Sequence, residues 1–401
     1  MTVLLIRNAE VYAPEPVGKR DILCVGESIA SIKEEIPAEV LDHLQGEVDE
    51  LDGSGCIAVP GFVDQHVHFN GAGGGGGPKS RTVNTPLTEL TLAGITTAVG
   101  LLGTDGIQRS LPELLQKARG LEEEGITTWM FTGSYQIPSP TITGDVTTDI
   151  TFIDKIIGLK LSMTDHRSSN PTVDELRRFA SKSRLGGLLG GKCGLVMVHL
   201  GVGKVGMEPL YEVIRTSDIP IEQFIPTHIN RAPKVMDWGV EWGKNGGYVD
   251  ISSCVSPEAG FVTAIKPGEA VKTFLEKGVK LEKITVSSDG NGAMPILDEN
   301  GKVVAMAPTA IMATLDEFED LVNEGRISID MAVKVYSTNI ARHLNLAKKG
   351  VLGHGMDADI LLFDKKGFEM RDVIARGNIM VKDGLAVKKG IYGDGPDKRS
   401  K

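Results

Sequence analysis

Ala58-Val-Pro-Gly-Phe-Val-Asp64-Gln-His66-Val-His68-Phe-Asn70 is an apolar run that ends in two histidines one residue apart. On a strand the side-chain period is two, so His66 and His68 point to one side and can grip one metal ion. An H-x-H pair also occurs on ordinary strands, so its meaning depends on what stands at the ends of the strands that follow.

Counting from 57–68, the strand candidates are 57–68, 94–102, 127–135, 156–163, 194–201, 224–231, 247–254 and 284–289. Helical stretches lie between them. Ser110-Leu-Pro-Glu opens one with an N-cap and an early proline. Thr172 and Glu175 have capping-box spacing. The segments 269–277 and 310–322 carry apolar residues at the 3.6 period. Strand and helix alternating in this number predict an α/β fold, a (β/α)8 TIM barrel over 58–346. A doubly wound sheet is the structural alternative, but no G-x-G-x-x-G opens a helix after the first strand.

The two ends of the chain read differently. Residues 1–57 and 347–392 hold short alternating runs such as Val3-Leu-Leu-Ile-Arg-Asn and Ala358-Asp-Ile-Leu-Leu-Phe-Asp, punctuated by Gly and Asp. They are expected to pair into one small β-sandwich domain, leaving 393–401 as a polar, disordered tail.

Composition narrows the function. The 401 residues carry a net charge of −10 with no Lys/Arg cluster, which argues against nucleic acid and anionic membranes as partners. No apolar run approaches the roughly 20 residues that span a bilayer, and Met1-Thr-Val-Leu-Leu-Ile-Arg7 reads as a strand rather than a signal peptide. Cys24, Cys56, Cys193 and Cys254 are scattered without a C-x-x-C pair and read as buried thiols of a reducing cytoplasm. The glycine-rich stretch Gly71–Gly77 is followed by Pro78-Lys79-Ser80. Its spacing fails as a phosphate loop, and it reads instead as a loop whose backbone can approach a ligand.

Barrel active sites sit where strands end at their C-terminal side. His199 ends the fifth strand candidate, His228 the sixth and Asp289 the eighth, and Lys160 lies inside the apolar fourth. A buried ammonium is costly unless paired or changed. Lys160 could pair with Asp289. Alternatively, a neutral lysine reacts with carbon dioxide to give an anionic carbamate whose two oxygens serve two metals. Four histidines, one carbamate and one aspartate suit a two-zinc site. His43, His343 and His354 are expected to be ordinary surface or core residues.

The order H-x-H, Lys, His, His, Asp resembles the amidohydrolase superfamily of binuclear metal hydrolases. Longer stretches sharpen this: Val99–Gly106, Thr132-Gly-Ser-Tyr135, Asp165-His-Arg167, Thr227-His-Ile-Asn-Arg231 and Ser287-Ser-Asp-Gly-Asn-Gly292. Together they resemble the isoaspartyl, or β-aspartyl, dipeptidases. The resemblance implies that His66 and His68 hold one Zn2+ and His199 and His228 the other. It places carboxylated Lys160 between them and Asp289 as a metal ligand and proton carrier. It makes Tyr135 a catalytic hydrogen-bond donor and Arg167 and Arg231 the binders of substrate carboxylates. Thr104 and the backbone of Gly73 and Gly74 line the substrate. A homo-oligomer acting on a small acidic dipeptide-like substrate is implied.

Two positions depart from the family. Where it has a glutamate for the substrate's α-amino group, this chain has Gly75; where it has a substrate-contacting serine, this chain has Ala293. The expected activity is zinc-dependent cleavage of a β-aspartyl amide bond. A related amidohydrolase acting on an acidic N-acyl or cyclic amide without a free α-amino group is the alternative. A non-catalytic scaffold would be expected to have lost metal ligands, and all six are kept.

Overall fold

The computed structural model describes residues 2–41, 43, 47–73, 75–297, 303–393 and 395–399. Eight parallel strands form one sheet in chain order: Phe62–Val67, Ile95–Gly100, Thr127–Gly133, Ile156–Met163, Leu195–Leu200, Phe224–Thr227, Val249–Ser252 and Ile284–Ser287. These are the eight expected barrel strands. A bridge between Val67 and Gly290 returns the eighth to the first, and the His68 N–H donates to the Gly290 carbonyl at 2.9 Å, so the barrel is nearly closed.

Both faces of these strands are covered, which is why they read as unbroken apolar runs rather than as alternation. Inside, Val63, Val99, Phe131, Met197 and Ile225 fill the lower barrel against Ile340 and Leu344, which plug its base. Outside, the strands pack on helices whose starts the sequence marks well. Helix Val173–Gly190 has the full Thr172/Glu175 capping box, and Ser110 accepts from the Glu113 N–H at the start of Leu111–Glu124. Each such cap contributes about 1 kcal/mol.

The run 57–68, read as one strand, is two. Cys56–Pro60 pairs antiparallel with Ile360–Asp364 in the other sheet, and only Phe62–Val67 enters the barrel. The switch is at Gly61, whose N–H donates to the Asp359 carbonyl. A Cβ there would lie 2.2 Å from Thr96 Oγ1, so only glycine fits.

The other sheet has nine strands drawn from both chain ends. Val3–Tyr12 is its hub. Its first half pairs parallel with Val48–Asp52, its far end with Ile57 and Ala58, and its other edge antiparallel with Pro16–Val25. Leu4, Ile6, Ile22, Ile29, Leu362 and Ile374 make a separate apolar interior for it.

Two further segments differ from expectation. Within the expected disordered tail, 395–399 lies against the body: Arg399 pairs with Glu319 and Asp316, and the Ala386 N–H donates to the Asp397 carbonyl. Ion pairs hold it, and hydropathy does not register them; 394, 400 and 401 lie outside the described residues. After the eighth strand an unexpected hairpin, Ala293–Leu297 with Val303–Pro308, stands at the barrel mouth. Among the described residues, no helix is long and apolar enough to cross a membrane.

Candidate active site

The first strand is not regular where it matters. Its register slips between Asp64 and Val67, an irregularity of the kind that re-aims side chains next to sites. Neighbours Gln65 and His66 both turn inward as a result. Gln65 donates to Asp250 at 2.7 Å, and His66 Nε2 lies 3.3 Å from Asp289. The Asp64 carboxylate accepts the N–H groups of His66 and Ser288, stitching the first strand to the eighth. His68 stands just past the strand. Its Nδ1 donates to the Leu101 carbonyl at 3.1 Å, which leaves Nε2 facing Asp289 Oδ1 at 3.1 Å with its lone pair free.

Each residue of Thr227-His-Ile-Asn-Arg231 has a separate task. Thr227 donates to Asp250 at 2.6 Å, and His228 Nδ1 pairs with Ser252 Oγ at 2.7 Å. Ile229 is core, Asn230 donates to the Ser252 and Val255 carbonyls, and Arg231 reaches the cavity. Asp250 collects this order. It accepts from Gln65, Thr227, Thr285 and Ser287, side chains of the first, sixth and eighth strands, from its own place on the seventh. Two of the four, Gln65 and Thr227, directly precede a candidate ligand, His66 and His228.

Above Asp250 the candidate ligands meet. The rings of His66, His68, His228 and His199 form a row with successive centroids 5.4, 5.0 and 4.7 Å apart, taken as His68–His66–His228–His199. Lys160 Nζ donates to His66 Nε2 at 3.1 Å. Ligand atoms of His66, His228 and Asp289 all lie within 4.8 Å of one another. Burial holds His66 and His228 well below the usual histidine range and His199 at about 3, so these imidazoles are neutral donors. Burial also pushes Lys160 down to about 7, against the opposing pull of Asp289 and Asp250.

Donor atoms therefore converge here with few protons to share. His66 Nδ1 is buried without a hydrogen-bond partner. His228 and Asp289 sit at φ 65° and 51°, in the left-handed region, which is uncommon for non-glycine residues although Asp and His enter it more readily than most. Strain of this kind persists where the surroundings over-determine it, often at functional sites. The donor set, neutral nitrogens plus a carboxylate and a reactive lysine, fits zinc.

His199 is more occupied than the sequence suggests. Its Nδ1 meets the Tyr135 hydroxyl and its Nε2 the Asp165 carboxylate at 2.9 Å, so it must release one to bind a metal. Burial alone would raise Asp165, but its bonds from Arg167 and His199 outweigh that and hold the carboxyl far below the usual range. Arg167 forks onto Asp165 at 2.9 and 2.7 Å. Arg231 has no carboxylate partner among the described residues, and its buried Nε is unpaired.

A cavity of about 430 Å3 opens above. His68, Gly73, Gly75, Thr104, Tyr135, Arg167, His199, Arg231, Asp289 and Ala293 line it, while His66, Lys160 and His228 form its buried floor. Gly74 lies outside the described residues. The sequence reading missed His166, Phe261, Met306 and Thr309 on the cavity wall, and Asp165 and Asp250 beneath it. Asp165 stood within a recognised motif, whereas nothing local marked Met306 or Asp250. His343 is core, with Nε2 on Gln65, and His43 and His354 are exposed.

A nearly closed eight-stranded barrel of this kind is the amidohydrolase class, and residues 262–380 match the Amidohydrolase family. A β-aspartyl dipeptidase from Fervidobacterium islandicum AW-1, solved with a β-Asp-Leu dipeptide, is 37% identical with a TM-score of 0.87, covering 96% of this chain and 98% of that one. The chain belongs to the β-aspartyl dipeptidase family within the amidohydrolase superfamily. Dihydropyrimidinase from Brevibacillus agri NCHU1002, 19% identical with a TM-score of 0.66 over 98% of this chain and 97% of that one, shares the fold. An allantoinase of Desulfitobacterium hafniense (strain Y51) is 37% identical over 70 residues, a stretch that is 18% of this chain and only 14% of that relative.

Proposed function

We propose that this protein is a binuclear zinc hydrolase that cleaves the β-aspartyl amide bond of small acidic dipeptide-like substrates. One observation carries the reading: six metal-type side chains, five at or near strand ends and Lys160 within the fourth strand, gather beneath a cavity with two guanidiniums, in a chain of this family. His66 and His68 would hold one zinc, His199 and His228 the other, with Asp289 as a further ligand.

Bound zinc supplies Lewis acidity and lowers the pKa of water toward neutrality. The chain's own groups do the rest. Lys160, neutral in good part at a pKa of about 7, adds to carbon dioxide. Its nitrogen forms the N–C bond and gives a proton to solvent, leaving an anionic carbamate with two donor oxygens. Asp289 takes the proton of the attacking water and passes it to the departing amine. Tyr135 lies against His199 and turns its O–H to the developing oxyanion. Arg231, which has no carboxylate partner among the described residues and whose Nη1 lies 3.4 Å from His199 Nε2, and Arg167 receive the substrate carboxylates. Thr104 and the Gly73 backbone shape the wall. The protein is taken to act in the cytoplasm as a homo-oligomer, in keeping with its unpaired cysteines and its family.

The test measures metal content and β-aspartyl dipeptide turnover on one preparation, before and after chelation and after zinc is restored. Two ions per chain and reversible loss of activity are expected. Native mass should show one carbon dioxide added, absent in Lys160→Ala, which should lose metal and activity together. Full activity at less than about one ion per two chains would reject the reading, since zinc is asked to supply the nucleophile.

A further inference from the structure

The cavity's charges are one-sided. Among its described lining residues Asp289 is the only carboxylate, and it is committed to the histidine row. Arg167 and Arg231 stand beside it, and His166 is at the rim. Asp165, beneath Arg167, already accepts from Arg167 and His199. The facing wall of Gly75, Gly76, Ala293, Met306 and Phe261 bears no charge. A substrate ammonium brought here would meet two guanidiniums and, among the described residues, no free acid, and leaving an ionised group unpaired in such a site is costly.

The uncharged wall also has room. A Cβ built on Gly75 meets no atom within 4 Å, and its φ is not in the left-handed region. Met306 and Thr309 line this cavity and also a neighbouring one of about 530 Å3, so the wall is backed by open space rather than packed core.

We infer that the acidic half of the substrate carries no free α-ammonium: it is a β-aspartyl-type amide whose α-nitrogen is acylated or absent. The inference rests on the β-aspartyl amide reading above and names its substrate class. The two guanidiniums take the carboxylates, and the α-substituent lies uncharged against the wall at Gly75.

The experiment compares kcat/KM of the zinc-loaded protein for three substrates: β-aspartyl-leucine, its N-acetyl form, and succinyl-leucine, which lacks the nitrogen. The two uncharged forms separate an acyl group that is itself recognised from simple absence of charge. At least one should exceed β-aspartyl-leucine by about tenfold or more, the weight of one lost charge-assisted bond. Gly75→Glu, whose Cβ meets no described atom within 4 Å, should raise β-aspartyl-leucine turnover by about tenfold and lower that of the others; a thermal melt matching wild type confirms its fold. Wild-type rates that favour the free amine, or that agree within about threefold across all three, would overturn the inference while leaving the β-aspartyl reading intact, because one lost charge-assisted bond should separate them further. No turnover of any of the three by protein carrying its full zinc would overturn that reading, and this inference with it.

Discussion

The floor of the site and its wall are built on opposite principles. On the floor every side chain is fixed by others: Asp250 alone ties together the first, sixth, seventh and eighth strands, and Ser252 and the Leu101 carbonyl orient His228 and His68. The wall is a glycine loop, the rim of a hairpin and Phe261, contributing backbone, a methyl group, a thioether and a phenyl ring. Gly75 is exposed, and a Cβ added there would meet no described atom within 4 Å. A change on the floor disturbs a buried network in which most groups satisfy one another. A change on the wall disturbs only what the ligand feels. On the proposed function, reaction chemistry is anchored where change is costly, and selectivity sits where it is cheap.

The largest effect expected on the floor comes from Asp289→Asn. The amide keeps the shape but cannot accept the water's proton, and general acid–base catalysis is typically worth about 10²–10⁴-fold. We expect kcat to fall by about that range with a smaller change in KM. A variant keeping roughly a third of the wild-type kcat would show that the proton travels elsewhere, since loss of a general base costs far more.

Asp250→Asn is next, and it tests whether the floor acts as one network. Asp250 receives four donors and touches no substrate. Replacing one oxygen by an NH2 turns it toward hydroxyls or an amide that were donating, leaving buried groups mispaired. Residues that orient metal ligands typically control about 10–100-fold in metal affinity. A zinc titration should therefore weaken by about that factor, while kcat recovers largely at saturating zinc. A purely structural role would lower the melting temperature and leave the zinc affinity of the folded protein unchanged.

Much of the floor was legible because it is periodic and local. Continuous apolar runs gave the barrel strands, and a ligand-type residue ending a run gave His199, His228 and Asp289. Lys160 stood out because nothing in its own run could pair with it. What stayed hidden depends on partners distant in sequence. Gly61 breaks the first run because of Thr96 and Asp359. The slip at Asp64 exists because Ser288 shares its carboxylate. The hairpin at 293–308 follows a loop with no strand signal, and the hold of Tyr135 and Asp165 on His199 joins three different strand ends. Alternation could not show any of these, since each is settled by closure of the barrel.

The smallest effect expected is on the wall, at Ala293. This residue opens the hairpin, lines the cavity and is partly exposed. Serine adds one hydroxyl with no change in backbone demand. A neutral hydrogen bond contributes about 0.5–1.5 kcal/mol net, or roughly 2- to 12-fold. The hydroxyl would stand on the cavity wall, away from the proton transfer assigned to Asp289, so it should act equally on ground and transition states. That signature is a lower KM at constant kcat. We therefore expect Ala293→Ser to lower KM by about two- to fivefold for whichever amide is turned over best, with kcat and zinc content unchanged. Steady-state kinetics with metal analysis on the same sample check it. A fall in kcat would mean that this wall position communicates with the floor, and the separation of chemistry from selectivity would then fail at its nearest point.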